Sequence, residues 1–132
     1  MTSEALVRRP QLELICKQIS HIDDHVDLVA ILNHKGRVED MIARDDGINR
    51  DLTAHKREML FMESVLHASM YSEYDDEFGR VKVSVIQREK VLVFSFQIDN
   101  YYLLVISKPV LNPAALQQKI ASVIFNYTTI AN

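Results

Sequence analysis

The 132-residue chain has little of several residue types, and each scarcity excludes a class of protein. Its single cysteine, Cys16, excludes an internal disulfide and a zinc site built from several cysteines. With only three glycines and three prolines, it is neither collagen-like nor rich in linkers. Its longest apolar runs, such as 91–96, are far shorter than the roughly 20 residues of a membrane-spanning helix. We therefore expect a globular protein that does not insert into membranes.

The net charge and the first ten residues argue against two further classes of protein, nucleic-acid-binding and secreted proteins. The chain has 15 basic and 18 acidic residues and a net charge of −3, whereas a protein that binds nucleic acid through phosphates needs a basic face. We therefore expect no nucleic-acid partner. The first ten residues lack the apolar core of a secretory signal, so we expect a cytoplasmic location. The length suits one domain over 1–132, with residues 1–9 as a flexible lead-in.

Hydrophobic periodicity and turn residues predict the order of helices and strands. In chain order the elements are a helix after Pro10, strands at 26–32 and 37–43, a long helix at 51–73, strands at 80–87, 91–98 and 101–107, and a helix after Asn112. Gly36 is expected to take a positive φ in the first hairpin turn. The order predicts an α+β fold, a five-stranded antiparallel sheet flanked by helices.

The long helix carries more apolar surface than one sheet face needs. One stripe of a helical wheel contains Leu52, Met59, Met62, Leu66, Ser69 and Met70. A second stripe beside it contains Phe61, Val65 and Ala68. Together they cover roughly 200° of the helix, about twice the arc of an ordinary surface helix. We expect the second stripe to need another surface, and the simplest source is a second copy of the chain.

We therefore predict a homodimer whose helical interface contains Met59, Phe61, Met62, Val65, Leu66, Ala68 and Ser69. The polar sector of the same helix is predicted to contact a partner protein through Lys56, Glu63, His67 and Tyr71. The methionines could instead line a ligand pocket, because their side chains adapt to varied partners. Their helical spacing favours positions in the core and at the dimer interface over positions in a ligand pocket.

The element order resembles the roadblock-type dynein light chain superfamily, whose fold is close to those of profilin and longin domains. The resemblance covers about residues 12–127. It rests on the hairpin around the turn at 33–36, the long apolar helix and the three-strand meander. The segments KREMLFMESVLHASM (56–70) and REKVLVFSF (88–96) are also similar to a small family of unknown activity from ammonia-oxidising archaea.

The resemblance implies a homodimer in which the long helices pack together and the third strands pair edge to edge. That pairing adds Val81, Val83 and Val85 to the predicted interface. It also implies a non-enzymatic interaction module, a scaffold or regulator of a Ras-like GTPase or of a larger complex. Proteins of this kind carry no catalytic signature, so the residues do not identify the partner.

Polar clusters in the chain have ordinary structural explanations. His21, Asp23, Asp24 and His25 offer ligands for a zinc-like ion, but their spacing fits no known site and turn formation explains them. The acidic residues at 45–46 and 75–77 lack the spacing of a calcium loop. Cys16 lies in the apolar stripe of the first helix, so we expect a buried side chain rather than a nucleophile. We predict no catalysis, no metal and no cofactor.

Two other functions stay open at this point. A small-molecule sensor would have a pocket between the sheet and a helix, lined by Met59, Phe94 and Phe96. A metal-assisted enzyme would be built around His21, Asp24 and His25.

Overall fold

The computed structural model describes residues 9–130, and the side chains of residues 10–127. Its helices are α1 (Arg9–His21), α2 (Ile48–Asp51), α3 (Ala54–Tyr71), α4 (Asp75–Phe78) and α5 (Pro113–Ile130), with a 3₁₀ turn at Ser72–Tyr74 between α3 and α4. Its strands are β1 (Val26–Leu32), β2 (Val38–Ala43), β3 (Ser84–Gln87), β4 (Leu92–Ile98) and β5 (Tyr101–Ser107). Within residues 9–130, no helix has the length and apolar character needed to cross a membrane.

The five strands form one antiparallel sheet in the order β2-β1-β5-β4-β3. This confirms the predicted fold class. β1 is buried along its whole length because it lies inside the sheet and both of its faces are covered. β3 lies at one edge, where it pairs with β4 alone.

Each face of the sheet has its own apolar core. On one face, residues of α1 and α5 such as Ile15 and Ile120 pack with Phe94 of β4. On the other face, Phe61 and Val65 of α3 pack with sheet residues such as Leu104. The sheet therefore lies between the pair α1 and α5 on one side and α3 on the other.

The ends of several elements follow from local hydrogen bonds. α5 begins at Pro113 as predicted, with the Asn112 side chain accepting a bond from the Ala115 backbone N–H at 3.2 Å. α3 begins later than predicted, at Ala54, because Thr53 Oγ1 accepts a bond from the Lys56 N–H at 3.1 Å. Asp51, the first residue of the predicted long helix, ends the separate helix α2.

Two further predicted boundaries differ from the structure. The strand predicted at 80–87 is only half that length, since pairing with β4 begins at Ser84. Arg9 already belongs to α1. The rest of the predicted flexible lead-in, residues 1–8, lies outside the described residues.

Candidate functional site

The outer face of α3 carries a continuous stripe of exposed apolar side chains. Met59, Met62, Leu66 and Met70 are between 46% and 59% exposed. They belong to the first stripe of the helical wheel, and all four point away from the sheet that α3 covers. A shallow groove of about 480 Å³ runs between this stripe and the hairpin residues His34 and Lys35.

The packing of the inner face of α3 contradicts part of the predicted dimer interface. Phe61 and Val65 are 2% and 7% exposed because they pack on the chain's own sheet, against residues such as Leu28 and Leu104. The expectation that their stripe needs a second copy of the chain is wrong. The wheel shows two adjacent apolar stripes, but it does not show which of them faces the sheet. Ala68, the third member, is half-buried above the same sheet face.

The segment that contains β3 carries the rest of the predicted interface. Val81, Val85 and Ile86 are exposed, whereas Val83 is half-buried against the core that includes α1 and α5. In the part of the chain that the structure describes, no strand pairs with the outer edge of β3. Its backbone groups can therefore form hydrogen bonds with another strand.

The residues predicted to contact a partner all lie on the surface. Lys56, Glu63, His67 and Tyr71 are exposed. His67 and Tyr71 also line a cavity between α3 and the sheet, whereas Lys56 and Glu63 do not.

That cavity has a volume of about 70 Å³. It lies where a sensor pocket was expected, between a helix and the sheet, but its lining differs from the prediction. Phe96 contributes to the lining, although its side chain packs with Phe94 in the core on the opposite face of the sheet. Met59 lies on the outer face of α3. Polar residues supply much of the lining: Ser64, His67, Tyr71, Ser72, Asp75, Ser84, Ser95, Gln97 and Tyr102.

The turn between α1 and β1 uses its acidic and histidine residues in local bonds. Asp23 Oδ1 accepts a hydrogen bond from the His25 backbone N–H at 2.9 Å and lies 2.7 Å from His25 Nδ1. Its other oxygen lies 3.3 Å from Lys119 Nζ. The bond from the His25 N–H is the main cause that lowers the pKa of Asp23. His21 Nδ1 lies 2.7 Å from the Lys17 carbonyl oxygen, within α1.

These contacts describe a structural turn. Among the residues that the structure describes, no three His, Cys, Asp or Glu side chains gather where they could hold a metal ion. Cys16 is completely buried, as predicted. Burial, together with the nearby Asp40 carboxylate, raises the pKa of its thiol far above the ordinary value, which keeps the sulfur protonated.

One ion pair with a buried carboxylate was not anticipated from the sequence. Asp27 of β1 is 4% exposed, and its Oδ1 lies 3.1 Å from Lys108 Nζ, just after β5. Gly47 packs directly on it, since a Cβ at position 47 would lie 2.7 Å from Asp27 Cγ. The signal was present, because Asp27 is the one charged residue in an otherwise apolar strand.

The sequence matches a known family over nearly the whole chain. A model of a family of unknown function, DUF6659, matches residues 7–126. The chain belongs to this family. No curated protein matches the chain.

Solved structures similar to this DUF6659 chain include a Roadblock/LC7 domain and two MglB proteins. A Roadblock/LC7 domain from Streptomyces avermitilis is 14% identical, with a TM-score of 0.68 over 89% of this chain and 95% of that one. MglB from Myxococcus xanthus is 10% identical, with a TM-score of 0.73 over 93% of this chain and 89% of that one. The gliding protein MglB from Thermus thermophilus is 10% identical, with a TM-score of 0.68 over 95% of this chain and 96% of that one.

At these identities the likeness shows the fold, and it confirms the predicted resemblance to roadblock domains at that level. The similarity of residues 56–70 and 88–96 to a family from ammonia-oxidising archaea stays a prediction.

Proposed function

We propose that this protein is a non-enzymatic homodimeric interaction module, which presents a helical surface made by two copies to a partner protein. The observation that carries the proposal is the exposed apolar stripe on α3, formed by Met59, Met62, Leu66 and Met70. Large apolar patches rimmed by polar residues are rare on monomeric soluble proteins and are typical of interaction sites. Three of the four residues are methionines, whose flexible side chains adapt well to a partner.

The free edge of β3 supports the same proposal. An unpaired edge strand can extend its sheet by pairing with a strand of another chain. Val81 and Val85 lie exposed along this segment, and would lose water contact when a second copy binds. We therefore place the dimer interface at Met59, Met62, Leu66, Ser69, Val81 and Val85, and we leave out Phe61 and Val65, which belong to the protomer core.

Similar structures support assembly in this fold. One solved structure of MglB has a tetrameric arrangement, and its chain is 11% identical to this one with a TM-score of 0.65. Assembly through the exposed α3 face would bring two copies of the polar sector together. Lys56 and Glu63 would then lie near the joint surface, where a partner can contact both copies.

The mass of the protein in solution tests the dimer. Light scattering coupled to gel filtration should give twice the 15.2 kDa protomer mass. Leu66→Glu should give the protomer mass, because the dimer would then bury an unpaired carboxylate. Leu14→Glu is the matched control: Leu14 is similarly exposed but lies on α1, across the sheet, so this variant should stay dimeric. A wild-type protein with only the protomer mass rejects the dimer.

The finer proposal is that the partner is a Ras-like GTPase, or an assembly that contains one, and that the complex forms in the cytoplasm of an archaeal cell. The partner rests on the resemblance to roadblock-type proteins, the archaeal cell on the similarity of residues 56–70 and 88–96 to the archaeal family, and the cytoplasmic location on the N-terminal residues. Affinity purification from native cells should recover a GTPase with the wild-type protein and lose it with the charge reversals Lys56→Glu and Glu63→Lys. Recovery of the same GTPase by both charge-reversed variants contradicts the assigned surface, and recovery of no GTPase contradicts the partner.

A further inference from the structure

The sheet face under α3 changes character along its width. At the β1 side it is apolar, with Leu28, Ala30 and Leu32 all completely buried. At the β3 side polar residues are mixed with apolar ones such as Ile86 and Val93. Ser84 and Ser95 are register partners of β3 and β4, and Gln97 and Tyr102 are register partners of β4 and β5; all four line the cavity.

The other wall of the cavity is polar as well. Ser64, His67 and Tyr71 face it from the second half of α3, and the 3₁₀ turn adds Ser72. A side of α3 that merely closed a core would carry apolar residues here, as it does at Phe61 and Val65. Hydroxyl, imidazole and amide groups on two facing walls offer several hydrogen bonds to a bound molecule.

The charges of the lining residues determine which kind of molecule can bind in the cavity. Among residues 10–127, no lysine or arginine lines the cavity, and Asp75 is the one acidic residue of the lining. Asp75 is half-buried, and it forms no ion pair within residues 10–127. Glu73, Asp76 and Glu77 beside it add negative charge. An anion such as a phosphate would therefore be repelled, whereas a cation would gain a carboxylate partner in a lining that also contains Tyr71 and Tyr102.

The size of the cavity limits the molecule to a few heavy atoms. About 70 Å³ corresponds to little more than two water molecules at roughly 30 Å³ each, and it is well below the roughly 300–1,000 Å³ of a pocket for a drug-sized ligand. Ala68, Val93 and Leu104 supply apolar lining that an alkyl group can contact.

We propose that the cavity between α3 and the sheet binds a small alkylammonium ion. The ammonium group pairs with Asp75 near the tyrosine rings, and the short alkyl group lies against Ala68, Val93 and Leu104. The site is built by one protomer, so it goes beyond the proposed interaction function and does not depend on it.

Three probes of one size test the charge preference on the wild-type chain: propylammonium, 1-propanol and propionate. Each is titrated at constant ionic strength while backbone amide resonances are followed by NMR. We expect propylammonium to bind in the millimolar range and to shift the resonances of Ser95 and Tyr102. The neutral and anionic probes should bind at least about tenfold more weakly. Equal binding of 1-propanol, or no shifts with propylammonium up to about 50 mM, overturns the proposal.

A pair of neighbouring variants tests the assigned residue. Asp75→Asn keeps the shape of the side chain and should weaken propylammonium binding at least tenfold. Asp76→Asn removes the same charge from an exposed residue outside the lining, and should change the affinity less than twofold. Equal weakening by both variants would mean general attraction to an acidic surface and would overturn the site. The three-probe comparison decides the question even if Asp75→Asn does not fold.

Discussion

Gly36 lies against the backbone of Met62, although the two residues belong to different parts of the fold. Gly36 is in the turn between β1 and β2, with φ of +79°, and Met62 is in the middle of α3. A Cβ at position 36 would lie 2.8 Å from Met62 Cα, closer than such atoms come in real proteins. Asn33 Oδ1 holds the turn in place by accepting bonds from the backbone N–H groups of Lys35 and Arg37. The turn therefore positions the apolar half of α3 on the sheet.

This contact predicts the effect of Gly36→Ala. The variant combines a strained positive φ with a clash against helix backbone, so we expect the free energy of unfolding to fall by about 2–4 kcal/mol. In the monomeric Leu66→Glu background, where no dimer interface covers Met62, Met62→Ala alone should change it by less than about 0.5 kcal/mol, because Met62 is exposed in the protomer. Urea denaturation of both variants and of the double variant checks the cause. Since the clash is with the backbone, truncating Met62 should not rescue Gly36→Ala, and a substantial rescue would contradict this account.

The ion pairs of Lys108 and Lys119 should differ in their contribution to stability. The two lysines are equally exposed, at 51% and 53%, but Lys108 pairs with the 4% exposed Asp27, whereas Lys119 pairs with the more accessible Asp23. Lys108→Met leaves a buried carboxylate unpaired and should lower the free energy of unfolding by about 1–3 kcal/mol. Lys119→Met should cost less than about 1 kcal/mol, as surface pairs do. Equal losses in urea denaturation would mean that the burial of Asp27 is unimportant.

The fold class was predictable because its signals are local. The apolar run of β1, the turn around Gly36 and the cap formed by Asn112 and Pro113 each need only a few neighbouring residues to be recognised. The order of strands in the sheet has no such signal. β1 pairs with β5, whose residues are far along the chain, and the contacts that choose this pairing exist only in the folded protein.

The candidate site was harder to predict for the same reason. Side chains alternate between the two faces of β4, so Phe94 and Ser95 lie on opposite faces. The sequence pattern predicts that the face with Ser95 is exposed to solvent. The structure covers that face with the second half of α3, so Ser95 lines a cavity instead. Likewise, the periodicity of α3 identifies its two apolar stripes, but only the shape of the sheet decides that Phe61 faces inward and Leu66 outward.

Lowering the pH should remove the contribution of Asp23 to the stability of the folded protein. Its pKa is lowered in the folded protein, mainly by the bond from the His25 N–H, so the unfolded chain binds the proton more tightly. The stabilisation is complete above the ordinary aspartate pKa near 4 and is lost as the pH falls through the lower folded value. Asp23→Ala should therefore cost about 1 kcal/mol at pH 7, and the difference from wild type should shrink below pH 4. Asp24→Ala, the exposed neighbour, should change stability little at either pH. A cost for Asp23→Ala that does not depend on pH contradicts the assignment.

Two adjacent residues of α3 separate its structural face from its docking face. Val65→Glu places a carboxylate in the core against the sheet, so we expect it to prevent folding or to cost several kcal/mol. Leu66→Glu places the same group on the exposed stripe, and should leave the protomer folded. Because dimer stability depends on concentration, the wild-type Tm should rise with protein concentration and the Tm of Leu66→Glu should not. Circular dichroism melts over a hundredfold concentration range measure both effects. A Val65→Glu variant with the wild-type Tm, or a concentration-dependent Tm for Leu66→Glu, would contradict the assignment of the two faces.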